Sequence, residues 1–202
     1  MPPLFLCGPA GSGKDTTARA ITREFGHTAR WLGEPIKATL ATPEWQTTLT
    51  LAAAHTEYPP AVLRRFAGQG LGDAFRAVHC DLLVWRLANT VEESCPAIVV
   101  SDVRLPQELT ALRDIWPTGL AIYCDTDRAE QDRRLITRDG APMDPLARGH
   151  WTEIAVRDLR DDADFRWDNN GSWETTWPVL REWLITRGVT PLVSASLSTG
   201  NL

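Results

Sequence analysis

Gly8-Pro9-Ala10-Gly11-Ser12-Gly13-Lys14-Asp15-Thr16 is the stretch whose residue types and spacing point most directly to chemistry. It follows the apolar run Pro3-Leu4-Phe5-Leu6-Cys7 and precedes an amphipathic helix pattern. A buried strand that turns through glycines into a helix start aims successive backbone N–H groups inward, and the helix dipole adds partial positive charge. The pattern reads as a phosphate-binding loop. Gly8, Gly11, Ser12 and Gly13 would cradle the phosphates of ATP, Lys14 would reach the β- and γ-phosphates, and Thr16 would meet the α-phosphate. Gly8, Gly13 and Lys14 satisfy G-x-x-x-x-G-K, but the next position, usually Ser or Thr, holds Asp15. That carboxylate has two readings: a ligand of Mg²⁺ or of one of its waters, or an acidic first-turn residue favoured by the helix dipole.

A second constellation ends the apolar run Ala97-Ile98-Val99-Val100-Ser101, which reads as a buried parallel strand. Asp102 at its end fits the second acidic element of a phosphoryl-transfer site, holding Mg²⁺ through water. The alternative is an N-cap for the helix that Pro106 opens, although three residues intervene. Arg104 beside it could clamp a phosphate as a planar fork, or stand in solvent. No N-K-x-D guanine motif is present, which argues against a regulatory GTPase.

These groups need elements that carry them to one place. Thr16 to Phe25 puts Ala18, Ile21 and Phe25 on one helical face, with Gly26 as the stop. Residues 28–32 read as a short second strand, and residues 36–56 as mixed helix and loop. Pro59-Pro60 opens a helix predicted to run from Ala61 towards Gln69, where Gly68, Gly70 and Gly72 interrupt it. Asp73 then caps a longer helix to about Asn89, with Phe75, Val78, Leu82 and Trp85 as its apolar face. Residues 34–90 thus form a helical insertion, the place for an acceptor-binding lobe.

Further on, Pro106 opens a helix with Leu109, Leu112, Ile115 and Trp116 facing inward, and Leu120 to Cys124 is another strand. Asp127 to Asp139 is a charged helix, and Gly140 to Gly149 a loop. Asp164 to Asp168 alternates as an edge strand, and a turn at Asn169-Asn170-Gly171-Ser172 leads to a helix from about Thr176, because Pro178 would break an earlier start. Residues 189–202 read as a loosely ordered tail. The order predicts an α/β fold, a five-stranded parallel sheet covered by helices on both faces. Ligands of such sheets bind beyond the carboxyl ends of the strands, so the P-loop and Asp102 should share one cleft.

Composition narrows the partners. Apolar residues make up 43% of 202 and charged ones 23%, which fits one globular domain and excludes a disordered or fibrous chain. A formal charge of -5 without a basic block argues for small-molecule nucleotides rather than nucleic acid. Cys7, Cys80, Cys95 and Cys124 form no metal-ligand spacing, and Cys7 and Cys124 lie in strand-like runs where a thiol packs as a small hydrophobe. With no apolar run of about eighteen residues and a P-loop close to Met1, the expectation is a cytoplasmic protein that binds no membrane.

Gly13-Lys14-Asp15-Thr16-Thr17-Ala18, Val100-Ser101-Asp102-Val103-Arg104, His150-Trp151-Thr152-Glu153 and Asn169-Asn170-Gly171-Ser172 together resemble the phage-type deoxynucleoside monophosphate kinases of the P-loop kinase superfamily. The pieces occur in the family's order over most of the chain, and the family's loop carries the same Asp as Asp15. The resemblance implies transfer of the γ-phosphate of ATP to a dNMP with Mg²⁺, by a single domain over 1–188. Its core would be 1–33 and 96–188, its acceptor lobe 34–90 and its lid 126–150, with the host cytoplasm as location and a homodimer as one possible state. It also implies that Asp15 and Asp102 organise Mg²⁺. Glu34-Pro35-Ile36-Lys37 is similar to the segment after the second strand, and Arg64, Arg65, Gln69 and Arg76 fall where acceptor phosphate and base are read. Gly70-Leu71-Gly72-Asp73 departs from the family's pattern. Arg65 and Gln69 stand four apart on one helical face, as do Arg134 and Arg138 on the lid-like segment, where arginines would close over the transferred group. Thr152 would cap the helix that follows it. Asn170 and Gly171 fall where relatives pack adenine, although a tight turn accounts for them equally. The rivals are a P-loop kinase for another small or modified acceptor, and a nucleotide-binding regulatory module without transfer activity.

Overall fold

The computed structural model describes residues 1–91 and 97–192. Strands β1 (Leu4–Cys7), β2 (Thr28–Trp31), β3 (Ile98–Val103), β4 (Leu120–Asp125) and β5 (Phe165–Asp168) form one all-parallel sheet in the order β2-β3-β1-β4-β5. This is the expected α/β architecture. β1 is central and buried on both faces, which is why its four residues are uniformly apolar. Leu4 and Leu6 point to one layer, against α1 (Lys14–Phe25) and α11 (Trp173–Thr186), with Trp167 and Trp177 in the same cluster. Phe5 and Cys7 point to the other, shared with Leu109 and Leu112 of α6 (Pro106–Ile115) and with Val156 and Leu159. On β5, Trp167 is buried while Arg166 and Asp168 are exposed, the alternation of an edge strand.

The pairing of β1 with β3 contains a register shift: Phe5 faces Val100 but Cys7 faces Val103, so β3 carries one extra residue. Asp102 lies in that bulge with φ 68, and among the described residues it is the one non-glycine with positive φ. A bulge of this kind re-aims a side chain at a strand end. Here it turns the Asp102 carboxylate toward the P-loop edge of the sheet.

The region after β2 is more regular than its composition predicts. Residues 36–56 are not mixed helix and loop but two helices, α2 (Glu34–Leu40) and α3 (Pro43–Ala54). The three glycines do not interrupt the next helix: α4 runs unbroken from Pro60 to Val78, so Asp73 is not an N-cap. Packing explains the exception to propensity. A Cβ on Gly68 would lie 3.5 Å from Leu40 Cδ1, and one on Gly72 3.4 Å from Ile36 Cδ1, so the bare face of α4 lets α2 approach closely. The chain breaks instead at His79 to Asp81 before α5 (Leu82–Ala88). The helical register therefore rotates, leaving Val78 and Trp85 exposed while Leu83, Val84 and Leu87 are buried.

The remaining helices are α7 (Arg128–Asp139), α8 (Pro145–Arg148) inside the predicted loop, α9 (Trp151–Ala155) and α10 (Leu159–Asp162). In α6, Ile115 is exposed rather than inward, while Trp116 just beyond it packs on Phe5. α11 starts at Trp173 rather than Thr176, with Pro178 inside it. Tertiary contacts hold that first turn: Trp173 stacks on Trp177 at 4.9 Å, and the buried Thr176 hydroxyl donates to Asn169 Oδ1. The start of the predicted tail is also anchored, because Val189 is buried and the Leu192 N–H donates to Glu24 O at 2.7 Å. Residues 193–202 and Cys95 lie outside the described residues. Cys7 and Cys124 are buried as expected, and burial pushes the Cys124 thiol up to about 12. Among the described residues, no helix is long and apolar enough to cross a membrane.

Candidate active site

A cleft of about 700 Å³ opens at the carboxyl edge of the sheet. Its floor is the P-loop and the end of β3, and α2, α4, α7 and α9 supply its walls. Nine cationic side chains line it against four acidic ones, on a chain whose net charge is -5. The cleft is therefore a local concentration of positive charge built for an anionic occupant.

The loop takes its shape from backbone that side chains would obstruct. Gly13 has φ 91, and a Cβ there would lie 2.6 Å from Asn169 Nδ2. Asn169, 4% exposed, donates from Nδ2 to Ser12 O at 2.9 Å and braces the loop from the end of β5. Lys14 is nearly buried and folds back, its Nζ donating to Gly8 O at 2.7 Å and Pro9 O at 2.8 Å. Burial lowers its pKa, and Arg104 adds to that effect while Asp102 opposes it. An incoming polyphosphate would restore the counter-charge this ammonium lacks.

Asp15 and Asp102 stand together at the floor. Asp15 Oδ1 accepts the Trp31 indole N–H at 2.9 Å and the Ser101 hydroxyl at 3.2 Å. Asp102 Oδ2 accepts Lys37 Nζ at 2.7 Å. Burial alone would raise the Asp102 carboxyl, but Lys37, Arg104 and Lys14 outweigh it and hold the group at about 2. Each carboxylate keeps one oxygen without a partner among the described residues. Hard carboxylate oxygens beside a phosphate loop are the donors Mg²⁺ takes, usually one or two carboxylates with waters and substrate phosphates, so the residues present fit that ion.

The cationic wall is held by acidic struts. Arg104 pairs with the buried Glu153, and that contact first, with Asp102 adding, raises the guanidinium's pKa. Arg76 donates from Nε and Nη2 to Glu108 Oε1 at 3.2 and 2.9 Å, and its guanidinium lies over the Trp151 ring. Asp139 joins two helices by accepting Arg65 Nη2 at 2.8 Å and Arg138 Nε and Nη2 at 2.7 Å each. Arg134 donates to Glu130 and to Asn169 O, with its Nη1 against the Gly13 position. Gln69 donates to Ala147 O at 2.8 Å. Between these groups Leu32, Ile36, Leu40 and Leu83 give the lining an apolar strip, with Ile36 and Leu40 facing the glycines of α4.

Most of the site residues expected from the sequence thus converge. Gly11, Gly13, Lys14, Asp15, Thr16, Lys37, Arg65, Gln69, Arg76, Asp102, Arg104, Arg134 and Arg138 all line the cleft. Gly8 and Ser12 lie behind it, where Ser12 is buried and Gly8 O receives Lys14. Asn170 and Gly171 are not brought into the cleft. Both are exposed, and Asn170 donates to Asp168 Oδ1 and accepts the Asp127 N–H, which is turn chemistry. The neighbouring Asn169 reaches the loop instead, because strand alternation and the turn aim it inward. Thr152 does not cap α9: His150 is the N-cap, its Nδ1 accepting the Thr152 N–H, and its other ring nitrogen meets Asp73 at 2.9 Å. Glu153, Glu108, Asp139 and Trp31 have contacts that spacing did not reveal, and only Glu153 stood within a recognisable motif.

No protein-family model and no curated protein matches the chain. Among solved structures it is similar to a sugar kinase from Janibacter sp. HTCC2649, with 18% identity over 94% of this chain and 98% of that one and a TM-score of 0.53. A shikimate kinase from Acinetobacter baumannii in complex with shikimate gives 15% identity, coverage of 92% and 94%, and a TM-score of 0.51. TT1252 from Thermus thermophilus gives 19%, 92% and 97%, and 0.53. At these identities the likeness is one of fold, the P-loop kinase-like α/β architecture.

Proposed function

We propose that this chain transfers the γ-phosphoryl group of ATP to a deoxynucleoside monophosphate. The observation that supports it is the two-sided cleft. A phosphate loop with a buried lysine forms one side, and an arginine-rich wall from α4 and α7 stands opposite, with an apolar strip between Ile36, Leu40 and the bare glycine face of α4. An acceptor that carries both a dianion and a planar base matches that division. The motifs shared with phage-type dNMP kinases choose this acceptor among phosphorylated small molecules.

In this reading the region from α2 to α5 is the acceptor lobe and residues 126–150 the lid. Phosphoryl transfer asks the protein for little covalent work, so positioning and charge stabilisation dominate. Lys14 leaves the loop carbonyls and meets the β- and γ-phosphates, while Thr16 and the loop amides hold the donor. Arg104 after β3, and Arg134 and Arg138 on α7, face the transferred group from two elements. Lys37, Arg65 and the Nη1 of Arg76, unpartnered among the described residues, take the acceptor phosphate, and Gln69 offers its amide oxygen to the base. Asp139 keeps Arg65 and Arg138 poised until the anion competes for them. Asp15 and Asp102 would hold Mg²⁺, which would supply neutralisation of the phosphate charge.

The test is a coupled ADP-release assay with single dNMPs, their ribonucleotide and modified-base counterparts, and hydroxyl acceptors lacking a phosphate. ADP formation that depends on a dNMP is expected. An equal rate without any acceptor overturns the kinase reading, and turnover only with unphosphorylated acceptors overturns the dNMP assignment.

A further inference from the structure

Behind the phosphate loop, a second cavity of about 270 Å³ opens where β4 ends, bounded by the first turn of α7 and by α8 to α10. It shares Glu153 with the cleft but otherwise has its own lining. Its donors are unusually idle. The Tyr123 side chain is 3% exposed, yet its hydroxyl, which faces this cavity, has no hydrogen-bond partner among the described residues. Burial first, and Asp125 second, push that phenol up to about 12, so it stays a donor at any physiological pH. Arg148 is tied through Nη2 to Asp132 and through Nη1 to Gln131, and its remaining Nε–H is closed off from the cavity. Arg157 makes no ion pair or side-chain hydrogen bond with a described residue, and Arg160, paired with Asp125, stands beside it.

An unpartnered hydroxyl on an otherwise buried tyrosine and an exposed, unpaired arginine lining one space leave donor capacity that an acceptor-rich ligand can use. Asp125 and Asp127 in the same lining make it a mixed site, selective for a compact anion with a polar neighbour rather than a long polyanion. The volume, below the roughly 300–1,000 Å³ of sites for larger ligands, sets the same limit. We propose that Tyr123 and Arg157 bind a phosphate group, free or on a small ester, at a site separate from the nucleotide cleft.

The test is calorimetric titration of the full chain with inorganic phosphate and, separately, glycerol phosphate, each in the presence of a saturating non-hydrolysable ATP analogue. Phosphate binding is expected to persist beside the analogue. Tyr123→Phe combined with Arg157→Gln should weaken it at least tenfold while changing analogue affinity less than about twofold. The ester binding more tightly than the free ion would assign the site to phosphorylated metabolites, and the reverse to inorganic phosphate. Complete displacement of phosphate by the analogue, or the same affinity in the double variant, overturns the proposal. Tyr123→Phe keeps the ring in the core, and retained analogue binding confirms that the variant is folded. Because the readout is binding beside an occupied cleft, it stands apart from whether the chain phosphorylates a dNMP.

Discussion

The Glu153 carboxylate accepts the Ala10 backbone N–H at 3.2 Å, across 143 positions of sequence, while its other oxygen pairs with Arg104. One buried side chain thus fastens the first turn of the phosphate loop to the arginine that follows β3. Burial opposes its ionisation, but Arg104, then Lys14 and the Ala10 N–H, hold the carboxyl below its ordinary range. Glu153→Gln should cost about 2–3 kcal/mol, since it leaves a largely buried guanidinium without its counter-charge. Urea unfolding measures the loss, and a change below about 0.5 kcal/mol, the size of an ordinary surface substitution, would show that the pair is incidental.

Lys14→Ala removes the one ammonium that reaches from α1 into the loop. Turnover should fall at least a hundredfold, the scale seen when a single transition-state donor is deleted. Stability should fall by no more than about 1–3 kcal/mol, because the buried Gly8 carbonyl and Ser12 hydroxyl lose their donor while a buried ammonium is removed. Steady-state rates beside a thermal melt separate the two effects.

Acid should expose the Asp102 linkage. Its folded value near 2 lies below the ordinary 3.8, so its contribution is complete above about pH 4 and disappears as pH falls through 2. The shift corresponds to roughly 2 kcal/mol. Urea midpoints at pH 6, 4 and 2.5 should decline over that window, and less steeply for Asp102→Asn, which tolerates the same positive φ. Parallel declines for both proteins would remove Asp102 from the account.

The glycines of α4 should separate by position. Nothing lies within 4 Å of a Cβ at Gly70, so Gly70→Ala should stabilise the helix by about 0.5–1 kcal/mol. At Gly72 the added methyl meets Arg76 Nη1 at 2.9 Å and Ile36 at 3.4 Å. Gly72→Ala should therefore raise the KM for the acceptor while leaving that for ATP unchanged. Melting curves and separate KM determinations distinguish the variants.

Asn169→Ala should weaken ATP binding about tenfold by freeing the Ser12 carbonyl it holds, whereas Asn170→Ala should leave it within about twofold. Fluorescent-nucleotide titration of both variants is the check, and the reverse ranking would restore Asn170 as the nucleotide contact.

Local signals were sufficient where local physics decides. The apolar run before Gly8, the glycine spacing, the β-branched strand ending at Asp102 and the helix-opening Pro106 together implied the parallel sheet and the meeting of Lys14 with Asp102, because right-handed crossovers leave the strand ends on one edge. The sequence alone also supplied nearly every cationic residue of the cleft, since arginines at helical spacing are visible as such. Propensity misled at Gly68 and Gly72, where the close approach of α2 outweighs the entropy cost of helical glycine, and at Pro178, where stacked tryptophans hold the helix start. Only the tertiary structure decided what each charge faces. Whether Arg76 meets a ligand or Glu108, whether Asn169 or Asn170 points at the loop, and that Glu153 reaches Ala10 depend on the packing of distant segments to within an ångström, and no spacing along the chain encodes that distance.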